Sequence, residues 1–194
     1  LHKLLPSGQI STYYIEYGFS CMGYEIAGGI GLKMAQPTRE VVVMVGDGSY
    51  LMMNSELATS VMLGVKLTVV LLDNRGYGCI NRLQHACGGE RFNNLFEHNT
   101  RQEVAPDIDF AAHARSMGAI AEKVASIADL ESALKKSKEN TRSTVIVIDT
   151  DPMISTEAGG HWWDVAVPEV SERKQVNAAR KAYEEARKIQ RGGN

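Results

Sequence analysis

The chain has 194 residues, of which 44% are hydrophobic and 23% are charged, and its formal net charge is -2. These values are typical of one globular domain with a real core, and the small charge gives no electrostatic reason to expect nucleic acid or an anionic membrane as partner. No apolar run approaches the roughly 20 residues that a membrane-spanning helix needs. Because the N-terminus lacks an initiator Met and the plan of a signal peptide, we expect residues 1–194 to be a single domain from a longer chain.

Predicted helices and strands alternate along the chain. In order, they are a helix at 22–34, a strand at 40–45, a helix at 49–63, a strand at 66–72, a helix at 107–117, a strand at 119–124, a helix at 126–138 and a strand at 143–148. The main strand segments are continuous apolar runs, which is typical of strands buried on both faces. This order predicts an α/β fold with a doubly wound, mostly parallel sheet and helices on both faces.

Two segments do not fit this alternation. Residues 74–105 are rich in Gly, Asn, Arg and His, and we expect a long loop that is functional or mobile. Residues 171–191 are a highly charged helical pattern, typical of a solvated or partner-facing surface helix. We expect this helix to form part of a C-terminal arm over about residues 165–194.

The cysteines constrain the cellular compartment. Cys21, Cys79 and Cys87 have neither a CxxC spacing nor an even count. That pattern argues against a disulfide framework or a structural zinc site, and it suits a reducing cytoplasm. We therefore expect a cytoplasmic protein whose thiols are buried in the core.

A glycine-rich turn follows the first predicted strand. It reads Gly46-Asp47-Gly48-Ser49, and a helix is predicted to begin at once. The glycines allow a sharp turn and close approach of a ligand. A helix N-terminus at the carboxyl end of a parallel strand favours a phosphate, to which Ser49 can add a hydroxyl donor. Asp47 would repel a phosphate unless a divalent cation such as Mg²⁺ lay between them.

A second polar pair follows the second strand. Asp73 and Asn74 end that strand, and they would lie near Asp47 if the two strands are neighbours. The Asn74 amide oxygen is then a second candidate ligand, and the Gly76 carbonyl a third. The alternative is structural: the first motif is a tight turn, and the second is a helix cap.

The two motifs together resemble the signature of thiamine-diphosphate-dependent enzymes. In that family an Asp and an Asn side chain bind Mg²⁺, together with a backbone carbonyl two residues past the Asn. The resemblance therefore implies that Asp47, Asn74 and Gly76 are the metal ligands. The family more often has two asparagines at the second motif, where this chain has Asp73 before Asn74.

The segment YGFSCMGYEIAGGIG at 17–31 resembles the cofactor segment of the acetohydroxyacid synthase and pyruvate oxidase branch of that family. The resemblance implies that Met22 wedges between the two rings of the cofactor and that backbone groups at Ser20 and Met22 bind its pyrimidine. The alternative is that Met22 is a core residue of an apolar helix. The expected cofactor-binding set is Ser20, Cys21, Met22, Gly46, Asp47, Gly48, Ser49, Asn74, Gly76 and Tyr77.

Within this branch, the segments around Met22, Asp47 and Asn74 and the later GGHWWDVAVPEVS look like the cyclic 1,2-dione hydrolases of myo-inositol catabolism. The resemblance implies a C–C bond hydrolase whose activating Glu lies in a separate pyrimidine-binding domain, normally from the other subunit of a homodimer or homotetramer. Glu16 and Glu25 lie in the segment expected on the opposite side of the cofactor. The catalytic residue is therefore unknown, and the isolated chain is expected to be inactive.

Substrate contacts and rival functions stay open. The polar candidates for substrate binding are Tyr77, Asn81, Gln84, His85 and Arg91, and His161, Trp162 and Trp163 either cover the site entrance or pack the C-terminal arm. One rival is another thiamine-diphosphate enzyme, such as an acetohydroxyacid synthase or a 2-oxoacid decarboxylase. A second is a non-catalytic dimerising module. A dinucleotide-binding domain fits poorly, because GDGSYL lacks the third glycine of the fingerprint.

Overall fold

A computed structural model of the chain contains one parallel sheet with helices on both faces. It describes residues 13–15, 19–98, 101, 103–105, 107–154 and 166–189. The strands are β1 (Val42–Gly46), β2 (Thr68–Asp73), β3 (Ile120–Val124) and β4 (Thr144–Asp149). The helices are α1 (Tyr24–Ala35), α2 (Asp47–Met53), α3 (Ser55–Met62), α4 (Gly78–Ala86), α5 (Phe110–Ser116), α6 (Ile127–Ser137) and α7 (Lys174–Ile189), with a 3-10 turn at Phe96–His98.

The strand order in the sheet is β1-β2-β4-β3, and every neighbouring pair is parallel. Gly46 at the end of β1 pairs with Leu72, and Asp73 at the end of β2 pairs with Asp149. The carboxyl ends of the three neighbouring strands therefore meet at one edge of the sheet. The predicted α/β fold is confirmed.

Alternate residues of the strands enter two apolar clusters on opposite faces of the sheet. One cluster joins Val43, Val69 and Val145 to residues of α1, α3 and α5. The other joins Val70 and Ile146 to α6. Burial of each Val, Ile or Leu side chain contributes about 1.5–3 kcal/mol to the stability of the fold. Strands with continuous apolar runs therefore stabilise the helix layers on both faces of the sheet. At the sheet edge, β1 differs: Val42 and Met44 are 54% and 41% exposed.

The predicted helix at 49–63 is two helices, and the first begins earlier than expected. α2 starts at Asp47, directly after the extended Gly46. The break falls at Asn54, whose side-chain Nδ2 donates a hydrogen bond to the Leu51 carbonyl at 3.0 Å. Such local bonds from Asn compete with the helical backbone pattern, which explains a division that apolar periodicity alone did not reveal.

The prediction of a long loop at 74–105 is wrong for its first half, which contains α4. Tertiary contacts stabilise this short helix. Arg82 Nη1 donates to the Pro152 carbonyl at 2.6 Å, and Arg173 Nε donates to the Gly88 carbonyl at 3.0 Å. The second contact ties the end of α4 to the start of α7, which is mostly exposed as predicted and buries Val176.

The expectation of core thiols is also wrong. Cys21 and Cys79 are exposed, and Cys87 is half-buried. Cys21 precedes α1 in a turn, and Cys79 lies in the first turn of α4 on a side that faces away from the sheet core.

Over the described part of the chain, no helix combines the length and apolar character needed to cross a membrane.

Candidate functional site

Asp47 lies at the junction of β1 and α2 and is fully buried. Its carboxylate accepts hydrogen bonds from the backbone N–H groups of Asn74 at 3.2 Å and Gly76 at 2.6 Å. These donors belong to the turn after β2, which reaches Asp47 because β1 and β2 are neighbours in the sheet. The structure therefore brings together the two motifs that the sequence places 27 residues apart.

Burial of the carboxyl raises the pKa of Asp47 above its ordinary value, and the nearby negative charge of Asp73 raises that pKa further. The hydrogen bonds from the Asn74 and Gly76 N–H groups act in the opposite direction. Burial disfavours the charged form unless a partner compensates. A cation at Asp47 would supply that compensation, so the electrostatics fit a metal ligand.

The other two predicted ligands lie beside Asp47. The Asn74 Oδ1 atom accepts a hydrogen bond from the Gly78 N–H at 3.2 Å, which fixes the direction of the amide. A Cβ atom on Gly48 would lie 3.2 Å from the Gly76 carbonyl oxygen and 2.5 Å from Tyr77 Cδ1. Only glycine at position 48 allows this close approach of the Gly76 carbonyl and the Tyr77 ring to α2.

The predicted donor set is one carboxylate, one amide and one carbonyl. Among the described residues there is no group of three or more His, Cys, Asp or Glu side chains that could hold a metal. A site for a soft metal or for zinc is thus not supported by these residues. Hard oxygen donors in small number suit Mg²⁺, which commonly completes its shell with phosphate oxygens and water.

The predicted ring-binding segment lies near the other end of α2. Ser20 has a left-handed backbone with φ of 53°, Cys21 is exposed, and Met22 is half-buried. The next residue, Gly23, lies against the Met53 side chain at the end of α2. A helix of seven residues rises about 9 Å from its first residue to its last. Asp47 and the turn around Met22 therefore lie at opposite ends of α2.

Glu25 stabilises the turn that precedes α1. Its Oε2 atom accepts a hydrogen bond from the Gly23 N–H at 3.0 Å. The carboxylate thus satisfies a backbone donor at the start of α1, where negative charge is favourable. The other glutamate of this segment, Glu16, and the first residue of the cofactor-like segment, Tyr17, lie outside the described residues.

The predicted substrate contacts fall into different environments. Tyr77 packs over Gly48, next to Asp47. Asn81 is buried on α4 with Nδ2 at 3.5 Å from Met153 Sδ, and its amide oxygen has no hydrogen-bond partner among the residues that the structure describes. The buried Nε2 atom of His85 likewise has no partner within the described part of the chain. The Gln84 side chain donates to the Glu90 carbonyl and accepts from the Asn94 amide. Arg91 is exposed, and residues 161–163 lie outside the described part.

The turn after β2 tolerates no side chain at position 76. Gly76 has φ of 139°, and a Cβ there would overlap the Asn94 carbonyl oxygen and lie 2.9 Å from Leu95 Cα. We expect Gly76→Ala to destabilise the protein by about 1–3 kcal/mol through backbone strain, measured by chemical denaturation. Gly31→Ala is the matched control, because a Cβ there meets nothing within 4 Å. Equal stability of the two variants would contradict this account of the turn.

Residues 1–148 match the family model for the C-terminal, thiamine pyrophosphate-binding domain of thiamine pyrophosphate enzymes. The chain belongs to this family. The resemblance seen in the sequence is thereby confirmed. The glycine-rich turn of this thiamine pyrophosphate-binding domain lies within the matched residues.

Curated relatives narrow the similarity. The domain is 44% identical over 184 residues to 3D-(3,5/4)-trihydroxycyclohexane-1,2-dione hydrolase 2 of Bacillus cereus, covering 92% of this chain and 29% of that protein. It is 43% identical over 185 residues to the corresponding hydrolase of Halalkalibacterium halodurans, covering 95% of this chain and 28% of that protein. The chain thus spans less than a third of the length of these relatives.

Solved structures support the fold of this thiamine pyrophosphate-binding domain. Benzoylformate decarboxylase from Polynucleobacter necessarius aligns with a TM-score of 0.62 at 20% identity, over 71% of this chain and 25% of that one. A thiamine diphosphate-dependent 4-hydroxybenzoylformate decarboxylase from Rhodococcus jostii RHA1 aligns with a TM-score of 0.59 at 23% identity, over 67% and 23% of the two chains. At these identities the likeness concerns the fold.

Sequence reasoning missed a charged cluster beside the site. Arg75 forms ion pairs with Asp73, Asp107 and Asp149. Asp73 and Asp149 each end a strand, and those strands are neighbours. Two acidic residues at the ends of two predicted apolar runs were the signal that could have indicated this cluster.

Proposed function

We propose that this chain is the Mg²⁺- and thiamine diphosphate-binding domain of a hydrolase that opens the ring C–C bond of trihydroxycyclohexane-1,2-dione in inositol catabolism. The observation that carries the proposal is the convergence of Asp47, Asn74 and Gly76 at the carboxyl ends of β1 and β2. The substrate class comes from relatives named for that reaction at 43–44% identity over 92–95% of this chain.

In this proposal each part of the site has a separate role. The Asp47 carboxylate, the Asn74 amide oxygen and the Gly76 carbonyl hold Mg²⁺. The first N–H groups of α2, together with the Ser49 hydroxyl, bind the diphosphate. Ser20, Cys21 and Met22 form the surface for the two rings, with Met22 as the wedge between them. Tyr77, which packs over Gly48, borders the same site.

Bound thiamine diphosphate supplies a carbanion that can attack and cleave next to a carbonyl. The chain's own contribution is to anchor the diphosphate through the metal, to orient the rings at Met22, and to limit water around the buried Asp47. Polar atoms of α4 are candidate contacts for hydroxyl groups of the cyclic 1,2-dione; one is the Asn81 amide oxygen, which has no partner among the described residues.

The remaining part of the protein completes the site in this proposal. The activating Glu is expected in a pyrimidine-binding domain, supplied by the second subunit of a homodimer or homotetramer. Exposed apolar residues on β1, Val42 and Met44, are consistent with further protein packing at that edge of the sheet. The division of the chain into one domain with a C-terminal arm and the cytoplasmic location both stay predictions.

The full-length protein provides the test. With thiamine diphosphate and Mg²⁺ it is expected to convert the cyclic dione to an open-chain acid, measured by product chromatography, and to leave pyruvate unchanged. Turnover of pyruvate with no turnover of the dione would favour an acetohydroxyacid synthase or 2-oxoacid decarboxylase instead. Absence of any cofactor-dependent turnover would favour the non-catalytic dimerising module.

Met22 allows a second test of this assignment. In the full-length protein, we expect Met22→Ala to cut turnover much more than it lowers folding stability, because the side chain is half-buried and shapes the cofactor. A role limited to core packing gives the reverse: a loss of about 2–5 kcal/mol in stability with intact turnover per folded molecule. Ile26→Ala is the control, since Ile26 is fully buried four residues further along.

A further inference from the structure

Arg75 occupies a position in the turn after β2 that the cofactor roles above do not explain. We propose that Arg75 is a positioning residue that holds residues 74–76 in the one conformation that directs the Asn74 amide and the Gly76 carbonyl toward the cation at Asp47. This inference rests on the proposed Mg²⁺ function. It means that an arginine that is not itself a ligand controls the geometry of two of the ligands.

The guanidinium group of Arg75 joins three separate parts of the fold. Its Nε atom lies 3.5 Å from Asp73 Oδ2, its Nη1 atom 3.2 Å from Asp107 Oδ1, and its Nη2 atom 3.7 Å from Asp149 Oδ2. Asp73 ends β2, Asp149 ends β4, and Asp107 precedes α5. The contact from Nη1 to Asp107 is a hydrogen bond and the other two are ion pairs, so the guanidinium lies between the ends of β2 and β4 and the start of α5.

The backbone of Arg75 is held in an unfavourable conformation. Its φ is 65°, in the left-handed region where a residue with a Cβ is strained. Its N–H donates to Asp73 Oδ1 at 3.0 Å, and its carbonyl accepts from the Phe96 N–H at 2.9 Å. Strain of this kind persists only where surrounding contacts determine the conformation, and the side-chain and backbone contacts of Arg75 supply that determination.

The residues on either side of Arg75 are those that touch Asp47. Asn74 N–H and Gly76 N–H donate to the two oxygens of the Asp47 carboxylate. A change in φ at Arg75 rotates the peptide groups of both neighbours relative to each other. The contacts of Arg75 thus control whether the Asn74 and Gly76 oxygens reach the same cation.

Charge supports the same role. Asp73 is buried and ends β2, directly before the turn whose Asn74 N–H contacts the Asp47 carboxylate. Arg75 places its Nε atom beside Asp73 Oδ2, while its backbone N–H donates to Asp73 Oδ1. It thereby offsets a carboxylate that would otherwise compete with Asp47 for the cation.

A positioning role differs measurably from a purely structural one. Mg²⁺ demands near-ideal octahedral geometry, whereas Ca²⁺ accepts a flexible shell. A loosened turn should therefore weaken Mg²⁺ more than Ca²⁺. Partly exposed ion pairs such as those of Arg75 contribute little to global stability, so thermal unfolding without cation should change little.

The experiment uses the full-length protein with thiamine diphosphate present in excess, and calorimetric titration with Mg²⁺ and separately with Ca²⁺. For Arg75→Met, we expect Mg²⁺ affinity to fall about tenfold or more, the range found for outer partners of metal ligands, with a smaller fall for Ca²⁺. Arg75→Lys should recover only part of the loss, because Lys keeps the charge without the fork. Lys123→Met is the matched control: it removes a neighbouring cation from Asp149 without touching the turn, and it should bind as the unaltered protein does.

The variants also define what would overturn the inference. Unchanged Mg²⁺ affinity in Arg75→Met would overturn it, and so would equal losses for Mg²⁺ and Ca²⁺ that accompany a lowered unfolding temperature. Arg75→Gly, which removes the guanidinium and relieves the left-handed strain, gives the same readout if Arg75→Met fails to fold. Loss of binding in Asp47→Ala together with normal binding in Arg75→Met sinks this inference alone. Normal Mg²⁺ binding in Asp47→Ala removes the proposed function and this inference with it.

Discussion

Asp47→Ala in the full-length protein is expected to abolish the Mg²⁺-dependent retention of thiamine diphosphate. Asp47 is the only carboxylate in the proposed ligand set, and it is fully buried between the turn after β2 and the start of α2. Its removal takes away the charged ligand, and it also leaves the Asn74 and Gly76 N–H groups without their acceptor. Calorimetric titration of the cofactor, with and without Mg²⁺, measures the effect.

A matched control separates this loss from general destabilisation. Asp109 also stands at the start of a helix, where its side chain accepts a hydrogen bond from the Ala112 N–H at 2.8 Å. Asp109→Ala is expected to cost about 1 kcal/mol of stability through the lost cap, while cofactor binding stays normal. Unchanged cofactor affinity in Asp47→Ala would sink the metal assignment, whatever its effect on stability.

The pKa of Asp47 gives this prediction a pH dependence. Burial raises that pKa above the ordinary value of 3.8. Without a cation, the group favours the folded state most at pH values below 3.8, and this contribution is lost as the pH rises through the raised pKa. A bound cation requires the ionised carboxylate. The rise in unfolding temperature on adding Mg²⁺ and cofactor should therefore grow with pH over that range, and a pH-independent rise would contradict the role of Asp47.

The sheet and the central part of the site could be predicted from the sequence for a physical reason. In a continuous apolar run such as 66–72, side chains on both faces of the strand are apolar and must be buried. Strands of this kind are typical of parallel sheets, which predicts that they are neighbours. The ends of such strands meet at one edge, so Asp47 and Asn74 had to lie close together once their strands were adjacent. The expected close approach of backbone is found at Gly48, whereas an added Cβ at Gly46 would meet nothing within 4 Å.

The features that were missed depend on contacts distant in sequence. α4 is short and lies in a segment rich in Gly, Asn, Arg and His, and contacts with Pro152 and with the start of α7 stabilise it. The Arg75 cluster needs carboxylates from positions 73, 107 and 149, which only the strand order brings together. The division of the helix at Asn54 depends on one hydrogen bond from its side chain to the Leu51 carbonyl. This bond competes with the helical backbone hydrogen bonds, although the apolar periodicity of the sequence continues through Asn54.

The isolated chain of 194 residues is expected to fold but not to turn over the cyclic dione. The four strands in the described part of the chain bury apolar side chains on both faces of the sheet, which is enough for a closed α/β core. The proposed site, however, holds only the diphosphate end of the cofactor firmly. The activating Glu is expected from another domain, so the cofactor should bind weakly and the reaction should not start.

The same chain is expected to self-associate, because Val42 and Met44 leave an apolar strip along β1, and exposed apolar patches promote association. Sedimentation measures this, and Met44→Lys should shift the chain toward monomer; the matched variant Ile127→Lys, at an exposed residue on α6, should not.

Hydrolysis of the dione by a contaminant-free preparation of the isolated chain would contradict the proposal that the active site is shared with another domain. Tight, stoichiometric binding of thiamine diphosphate by the monomer would contradict it too, because the pyrimidine half of the site would then contribute little to affinity.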